Sequence, residues 1–399
     1  MREGWKEVKL GDILEIKHGY GFKGEFFKED ETDNVLVTPG NFNIGGGFKN
    51  EKLKYYDGPI SEDFILKPND VIVTMTDLSK MADTIGYSAK VPSSSKTYLH
   101  NQRIGLIKLL NDEVDIDFIY WFLRTSNYQR YVAGSSTGAT VKHTSPTKIY
   151  SYKGIIPPLE TQKKIASILS GYDDLIENNL KRIKILGDMA QQTYEEWFVR
   201  MRFPGHESAT INPETGLPEG WEKVKLGDFI NFKKGKKLEE TFEEKLPDTE
   251  KVLLLDSLES GKFNYTKVGN HSLVKRGDIL MLMDGARSSY VFLADDGIIG
   301  STMAKVETKN LPSSLLFYYF QRNLEWLQIN NTGAAIPHAN PNFIKKIDFK
   351  LPNKELLNTW EMFIQPIWKN IWNLKDQNQR LREARDILLP RLMMGMIEV

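Results

Sequence analysis

The sequence predicts an α+β protein. It should have two globular, mostly β domains, each followed by a long helix, with the two helices pairing as an antiparallel coiled coil. Three observations carry that expectation. The chain is written twice. Short apolar runs separated by Gly, Asn and Asp turns fill the first part of each copy. The last part of each copy repeats apolar residues at helical spacing over more than four heptads.

The duplication is read from ordered matches. Gly4-Trp5-Lys6-Glu7-Val8-Lys9-Leu10-Gly11-Asp12-Ile13 returns as Gly220-Trp221-Glu222-Lys223-Val224-Lys225-Leu226-Gly227-Asp228-Phe229. Lys67-Pro68-Asn69-Asp70-Val71-Ile72 returns as Lys275-Arg276-Gly277-Asp278-Ile279-Leu280, and Thr137-Gly138-Ala139 with His143 returns as Thr332-Gly333-Ala334 with His338. The period is far too long for a solenoid, so each copy should fold as its own unit. The expected division is domain one at 1–157, a first helix at 158–203, a linker at 204–219, domain two at 220–354 and a second helix at 355–399.

Inside the domains, Val71-Ile72-Val73, Ile104-Gly105-Leu106-Ile107, Ile279-Leu280-Met281-Leu282 and Met303-Ala304-Lys305-Val306 read as strands. Asp117-Phe118-Ile119-Tyr120-Trp121-Phe122-Leu123 and Ser314-Leu315-Leu316-Phe317-Tyr318-Tyr319-Phe320 open helices whose aromatic faces suit a core. The first long helix should bury a seam of Ile165, Leu169, Tyr172, Ile176, Asn179, Ile183, Leu186, Ala190, Thr193 and Trp197. The second should bury Trp360, Ile364, Ile367, Ile371, Leu374, Asn378, Leu381, Arg385, Leu388 and Leu392. Asn179 and Asn378 are the polar seam positions that would fix register at some cost in stability. Each helix would be near 40 residues and about 60 Å long. Pro366 and Pro390 argue against an unbroken second helix and predict a kink near Pro366.

Composition excludes several classes. There is no Cys, hence no disulfide, thiolate metal site or thiol nucleophile. Lys plus Arg number 53 against 53 Asp plus Glu, and residues 1–157 alone carry 20 of each sign. Composition therefore gives no nucleic-acid signal, and any DNA-binding face must come from how the fold arranges charge. The N-terminal residues have no apolar signal core and no long apolar run follows, which predicts a soluble cytoplasmic protein. G-x-x-x-x-G-K-[ST], H-E-x-x-H and G-x-S-x-G are all missing. Gly45-Gly46-Gly47 reads as a flexible hairpin tip, Asn340-Pro341-Asn342-Phe343 as a turn, and no His spacing suits a metal, so catalytic and metal residues are expected to be none.

The remaining chemistry is basic and aromatic. Lys17 and Lys23, with Tyr20 between them, sit in the same place after the Trp-containing opening as Lys233, Lys234, Lys236 and Lys237. A glycine-containing loop with several Lys can approach a phosphate backbone and position a duplex. Arg287 stands alone after a strand, where its planar fork matches a guanine edge, unless it pairs with Asp284 and only holds the turn. Lys142-His143 and His338 follow the repeated Thr-Gly-Ala. These histidines either bond their own loop or contact phosphate or base. For the lysine clusters, Tyr20 and Arg287 a plain solvated surface is the alternative.

Those motifs together carry a resemblance. The duplicated Gly-Trp-x-x-Val-x-Leu-Gly-Asp opening, Gly277-Asp278-Ile279-Leu280, Thr332-Gly333-Ala334, and Ile156-Pro157-Pro158-Leu159-Glu160-Thr161-Gln162-Lys163-Lys164-Ile165-Ala166 leading into a long helix are similar to the specificity subunit of type I restriction–modification systems. The resemblance spans essentially the whole chain. It implies two target recognition domains, each reading half of a bipartite, asymmetric DNA sequence, and paired helices that measure the unread spacer. It implies double-stranded DNA, two methyltransferase (modification) subunits and restriction/translocase subunits as partners, with no membrane. The chain itself would carry no cofactor and no catalysis, since S-adenosylmethionine, ATP and Mg would belong to the partner subunits. The second copy departs at Leu351-Pro352-Asn353-Lys354-Glu355-Leu356-Leu357, where the Gln is lost. Two other readings stay open on residues alone: an active methyltransferase or nuclease with degenerate motifs, and a protein-interaction scaffold that binds no DNA.

Overall fold

The computed structural model describes residues 3–79 and 81–399. They gather into two compact units, one of Met1–Leu180 with Lys375–Val399 and one of Lys181–Leu374. Each unit therefore contains one β domain and one half of each long helix.

The first unit holds two principal sheets. One is antiparallel in the order Leu14–His18, Ile104–Leu109, Val71–Thr74, Ser88–Lys90. The other runs Phe27–Lys28, Lys54–Tyr56, Asn34–Val37, Thr97–His100, Ile65–Leu66, with one parallel pairing between Thr97–His100 and Asn34–Val37. The fully buried Val71–Thr74 reads as a continuous β-branched run because both of its faces are covered. The second unit repeats the plan. Its sheets run Ile230–Lys234, Met303–Thr308, Ile279–Leu282, Val291–Leu293 and Tyr265–Lys267, Thr249–Leu253, Gly297–Ile299, Ser272–Val274. Its parallel pairing joins Thr249–Leu253 to Gly297–Ile299. All four strand segments expected from sequence lie in the paired central strands. The two expected domain helices are Ile116–Phe122, capped by the Asp115 carboxylate accepting from the Phe118 amide, and Ser313–Arg322.

The repeated opening motif closes each domain onto the start of its long helix. Lys6–Lys9 pairs antiparallel with Lys153–Ile156, and Glu222–Lys225 with Asp348–Leu351. Leu10 and Leu226 are fully buried, and their amides donate to the Tyr152 and Ile347 carbonyls at 3.0 Å. The next residue must be glycine in both copies. A Cβ on Gly11 would fall 2.8 Å from the Tyr150 Cβ, and one on Gly227 would fall 2.8 Å from the Lys345 Cβ.

The first long helix spans Leu159–Tyr194 and runs into a π-helical turn at Glu195–Val199; the second spans Lys354–Met393. Within the first unit they run antiparallel. Asn179 Nδ2 donates to Asn378 Oδ1 at 2.9 Å, while Asp173, earlier in one helix, pairs with Arg385, later in the other. Ile165, Leu169, Ile176 and Asn179 are buried here, as are Asn378 and Leu392, with Tyr172, Leu381 and Leu388 half-buried. In the second unit Ile183 and Leu186 are half-buried, and Trp360, Ile364, Ile367 and Leu374 are buried, with Ile371 half-buried.

Two expectations about the helices need correction. The second helix passes Pro366 without interruption. Proline deprives the carbonyl of Met362 of its donor, but Pro366 and Met362 both lie on the exposed face, where the freed carbonyl is not committed to a dry interior. Toward the end of the first helix the seam shifts phase. Ala190, Tyr194 and Phe198 are buried, while the Thr193 hydroxyl bonds back to the Met189 carbonyl. The π-turn follows at Glu195–Val199, and Phe198 within it stays on the buried side with Tyr194. Trp197 still meets Trp360 and Phe363, at ring centroid distances of 5.9 and 5.7 Å.

Gln162 ties the first helix to its domain. Only 1% exposed, its Nε2 donates to the carbonyls of Pro157 (2.9 Å) and Glu113 (3.2 Å), and its Oε1 accepts from the Asp115 amide (2.9 Å). In the second copy, where Gln is absent, Trp360 Nε1 donates to Ser314 Oγ at 2.9 Å and Ser314 donates to Glu361. The same junction is held by different side chains.

Candidate nucleic-acid interface

Strand register brings the candidate residues to one end of one sheet in each unit. In the first, His18 and Val73 both face Gly105 across Ile104–Leu109, so the chain leaves Leu14–His18 and Val71–Thr74 at the same end. In the second, Lys234 and Met281 both face Ala304. The segments beyond those strand ends carry Tyr20 and Thr76 in one copy, Lys236 and Asp284 in the other.

In the first unit, Lys17 Nζ donates to the Asp63 carbonyl at 2.8 Å and lies 5.7 Å from the Phe64 ring centre. Tyr20 is exposed and packs on the same Phe64, centroid to centroid at 5.1 Å. Lys23 is exposed, with Glu25 3.8 Å away. Lys142 and His143 form a two-residue ladder with Asp77 and Thr76. His143 is exposed, and its Nδ1 lies 3.2 Å from Thr76 Oγ1.

The second unit builds the same hairpin. The amide and carbonyl of Thr332 bond those of His338, as Thr137 and His143 bond each other. The Ala339 amide donates to the Met283 carbonyl (2.8 Å), matching Thr144 and Met75 (2.9 Å). Gly138 and Gly333 have φ of +107° and +88°, and a Cβ there would fall 2.0 and 2.3 Å from the carbonyl oxygens of Val141 and Ile336. The repeated Thr-Gly-Ala…His is thus a hairpin that glycine alone permits and that holds the imidazole out.

His338 Nδ1 lies 2.8 Å from Asp284 Oδ1, and Lys234 Nζ lies 3.2 Å from Asp284 Oδ2. Burial pushes the Asp284 carboxyl up, but His338 and Lys234 outweigh it and hold the group below the usual aspartate range. The four lysines are not one loop. Lys233 and Lys234 end the strand Ile230–Lys234 and point to opposite faces, and Lys236 bridges Gly300. All four are exposed, and Lys234 is engaged with Asp284.

Arg287 does not stand alone. Its guanidinium pairs with Glu259 and lies 4.9 Å from the Tyr290 ring centre, while Asp284 is committed elsewhere. Its side chain remains 41% exposed. Sequence reasoning missed Glu259, because a partner 28 residues away leaves no local signal. It also missed the equivalence of Thr76 and Asp284, which the repeat itself contains: both stand six residues after Asp70 and Asp278.

Two other motifs find structural roles. Asn340 is no simple turn, since its Oδ1 accepts from the Phe343 amide and caps the one-turn helix Pro341–Lys345, as Ser145 caps Pro146–Tyr150. The hairpin tip at 45–47 is pinned, with Arg124 Nε donating to the Gly45 carbonyl at 2.9 Å. Among the described residues no helix is long and apolar enough to cross a membrane. Nor do three or more His, Asp or Glu side chains among them form a cluster able to hold a metal ion.

Comparison with known proteins is consistent with this repeated plan. Residues 2–186 and 218–364 match the family described as the type I restriction modification DNA specificity domain. The chain is 26% identical over 306 residues to the type I restriction enzyme MjaIX specificity subunit of Methanocaldococcus jannaschii, covering 72% of this chain and 70% of that one. It is 22% identical to the HindI specificity subunit of Haemophilus influenzae, covering 98% of this chain and 99% of that one. Among solved structures, the S subunit of a type I restriction–modification system from M. genitalium superposes with a TM-score of 0.59 at 17% identity, covering 97% of this chain and 96% of that one.

Proposed function

We propose, for a chain that belongs to the type I restriction–modification DNA specificity family, that the matched ends of its two sheets are the surfaces that meet DNA. The chain is the sequence-specific DNA-binding subunit of such a system. It recognises a bipartite, asymmetric target and directs methyltransferase and restriction subunits to it, and the catalytic activities reside in those partners.

The observation that carries the site reading is the twice-built histidine hairpin beside the central strand, with exposed cations at the same sheet end. In the first domain, residues 1–157, the contacts are Lys17, Tyr20, Lys23, Lys142 and His143. In the second, residues 220–354, they are Lys233, Lys234, Lys236, Lys237, Arg287 and His338. The helices at 158–203 and 355–399 and the linker at 204–219 complete the division. Exposed Lys side chains suit phosphate, which positions a duplex without reading it. Arg287, stacked on Tyr290 and paired with Glu259, is held with its fork oriented and partly open, which suits a base edge. The place of action is the cytoplasm, where the DNA and the partner subunits are.

Methylome sequencing of a host carrying this chain with its methyltransferase partner tests the assignment. A bipartite, asymmetric motif methylated only when this chain is present is the expected result. Methylation that persists unchanged without the chain would overturn it. Substituting residues from one domain's set should alter only one half of the motif.

A further inference from the structure

We infer that the residue just beyond the central strand, Thr76 in one copy and Asp284 in the other, is a positioning residue that sets which ring nitrogen of the hairpin histidine carries the proton, and so what that histidine offers to DNA. The inference rests on the reading that this end of each sheet meets DNA, and it goes further by giving the two copies different chemistry.

The geometry is the same in both. His143 and His338 sit on matched hairpins, each held by two backbone hydrogen bonds to the threonine of Thr-Gly-Ala. Both rings turn Nδ1 inward, 3.2 Å from Thr76 Oγ1 and 2.8 Å from Asp284 Oδ1. Among the described residues, neither Nε2 has a hydrogen-bond partner, and both histidines are exposed. What differs is the inward partner. An ionised carboxylate only accepts, so His338 must carry its proton on Nδ1, leaving Nε2 bare whenever the ring is neutral. A hydroxyl both donates and accepts, so His143 can hold its proton on either nitrogen.

The Asp284 carboxylate is kept ionised and oriented by Lys234, which also balances its charge. A carboxylate behind an imidazole fixes tautomer and ring orientation. With its ring neutral, the second copy therefore presents an acceptor at Nε2, which fits an exocyclic amino group, adenine N6 or cytosine N4, in the major groove. The first copy presents a group that adapts to a donor or an acceptor. Two domains with one backbone plan thus hold out histidines of unlike hydrogen-bonding character.

Ring nitrogens report this directly. The full chain, labelled with 15N-histidine and assigned with His338→Gln and His143→Gln variants, is read by NMR above the pH at which the rings are neutral. His338 should show a protonated Nδ1 and a bare Nε2. Asp284→Thr should release it to a mixture, and the reciprocal Thr76→Asp should lock His143 with its proton on Nδ1. A bare Nδ1 on His338 in the wild-type chain, or no change in either variant, would overturn the inference.

The DNA consequence is measured separately, by selecting from a randomised duplex pool with the chain assembled with its methyltransferase partner. Asp284→Thr should lower preference at one base pair of one half-site by about tenfold, leaving the other half intact. A tautomer that shifts with every base preference retained would overturn the link to recognition. If, in addition, His338→Gln and alanine at Lys233, Lys236 and Lys237 all leave selection and affinity untouched, the DNA-facing reading of this surface falls with it. Unchanged melting temperatures in both reciprocal variants distinguish a tautomer effect from loss of the hairpin.

Discussion

Asn179 and Asn378 offer a test whose sign reverses between single and double substitution. In wild type the Asn179 amide donates to Asn378 Oδ1 at 2.9 Å, and Asn378 Nδ2 reaches the Ile176 carbonyl at 3.4 Å; the two residues are 7% and 2% exposed. Asn179→Leu alone buries an apolar side chain, worth at most about 2–3 kcal/mol. It also strands the Asn378 oxygen in a dry seam, at a cost of about 1–3 kcal/mol. The single variant should therefore lie close to wild type or below it. With Asn378→Leu added no polar group is stranded and two leucines are buried, so the double variant should be about 2–4 kcal/mol more stable. Calorimetry on the full chain gives the ordering. The absence of native cysteine allows nitroxide labels at Leu175→Cys and Ile387→Cys, exposed positions on the two helices of the first unit. One narrow distance is expected in wild type and several in the double variant, since the polar pair is what penalises a slipped register. Single changes that add to the double within about 0.5 kcal/mol would refute the coupling, and one narrow distance in the double variant would refute the register role.

Four further outcomes follow from other residues. Gln162→Ala strands two carbonyls and an amide at the junction of helix and domain and should destabilise the first unit by about 2–4 kcal/mol, read by urea unfolding. Burial pushes the Asp77 carboxyl up, but the amides of Thr84 and Ser79 outweigh it and hold it below 3.8, so its contribution is present above that value and is lost as pH falls through the lower folded one; Asp77→Asn should flatten the acid limb of a stability–pH curve. Alanine at Lys233, Lys236 and Lys237 should weaken cognate and random duplex alike and reduce the salt slope by about 0.9 for each phosphate no longer neutralised, whereas an unchanged slope would remove them from the phosphate surface. Seven residues inserted into both helices beside Asn179 and Asn378 keep the heptad phase and should lengthen the spacer between recognised halves by about three base pairs, read by methylome sequencing, with the halves themselves unaltered.

The seam was legible where periodicity was undisturbed. Ile165, Leu169, Ile176 and Asn179 fall where a 3.5-residue repeat puts them, because nothing there interrupts the helix. The phase beyond Ala190 was not legible, since Tyr194 and Phe198 look no more apolar than Trp197. Pro366 misled because its effect depends on which way its residue faces, and that is settled only by packing. At the candidate site the repeat located both histidine hairpins correctly as repeated features. Their partners were not visible, because Thr76 and Asp284 are chemically unlike and 67 and 54 residues away in sequence. Glu259 was hidden for the same reason, so Arg287 seemed unpartnered.

What the two copies share and where they differ follow a physical division. Shared positions bury apolar surface, hold a turn through the same Asp carboxylate, or make backbone hydrogen bonds: Leu10 and Leu226 at the opening, Asp70 Oδ2 and Asp278 Oδ2 accepting from the Lys67 and Lys275 amides, and the Met75 and Met283 carbonyls accepting from the hairpin. Backbone donors and acceptors are the same whatever side chain is attached, so such bonds hold a strand end in place without dictating what it displays. The divergent positions are mostly held outward, Tyr20 against Lys236, and exposed Leu78 and Met81 in one following loop against Ala286 and Arg287 in the other, while behind the outward histidines buried Thr76 stands against half-buried Asp284. Exposed substitutions of this kind cost little folding energy. A duplicated scaffold can therefore keep equivalent surfaces for two identical partner subunits while its display positions drift apart, which is how a chain with internal symmetry comes to read two unlike half-sites.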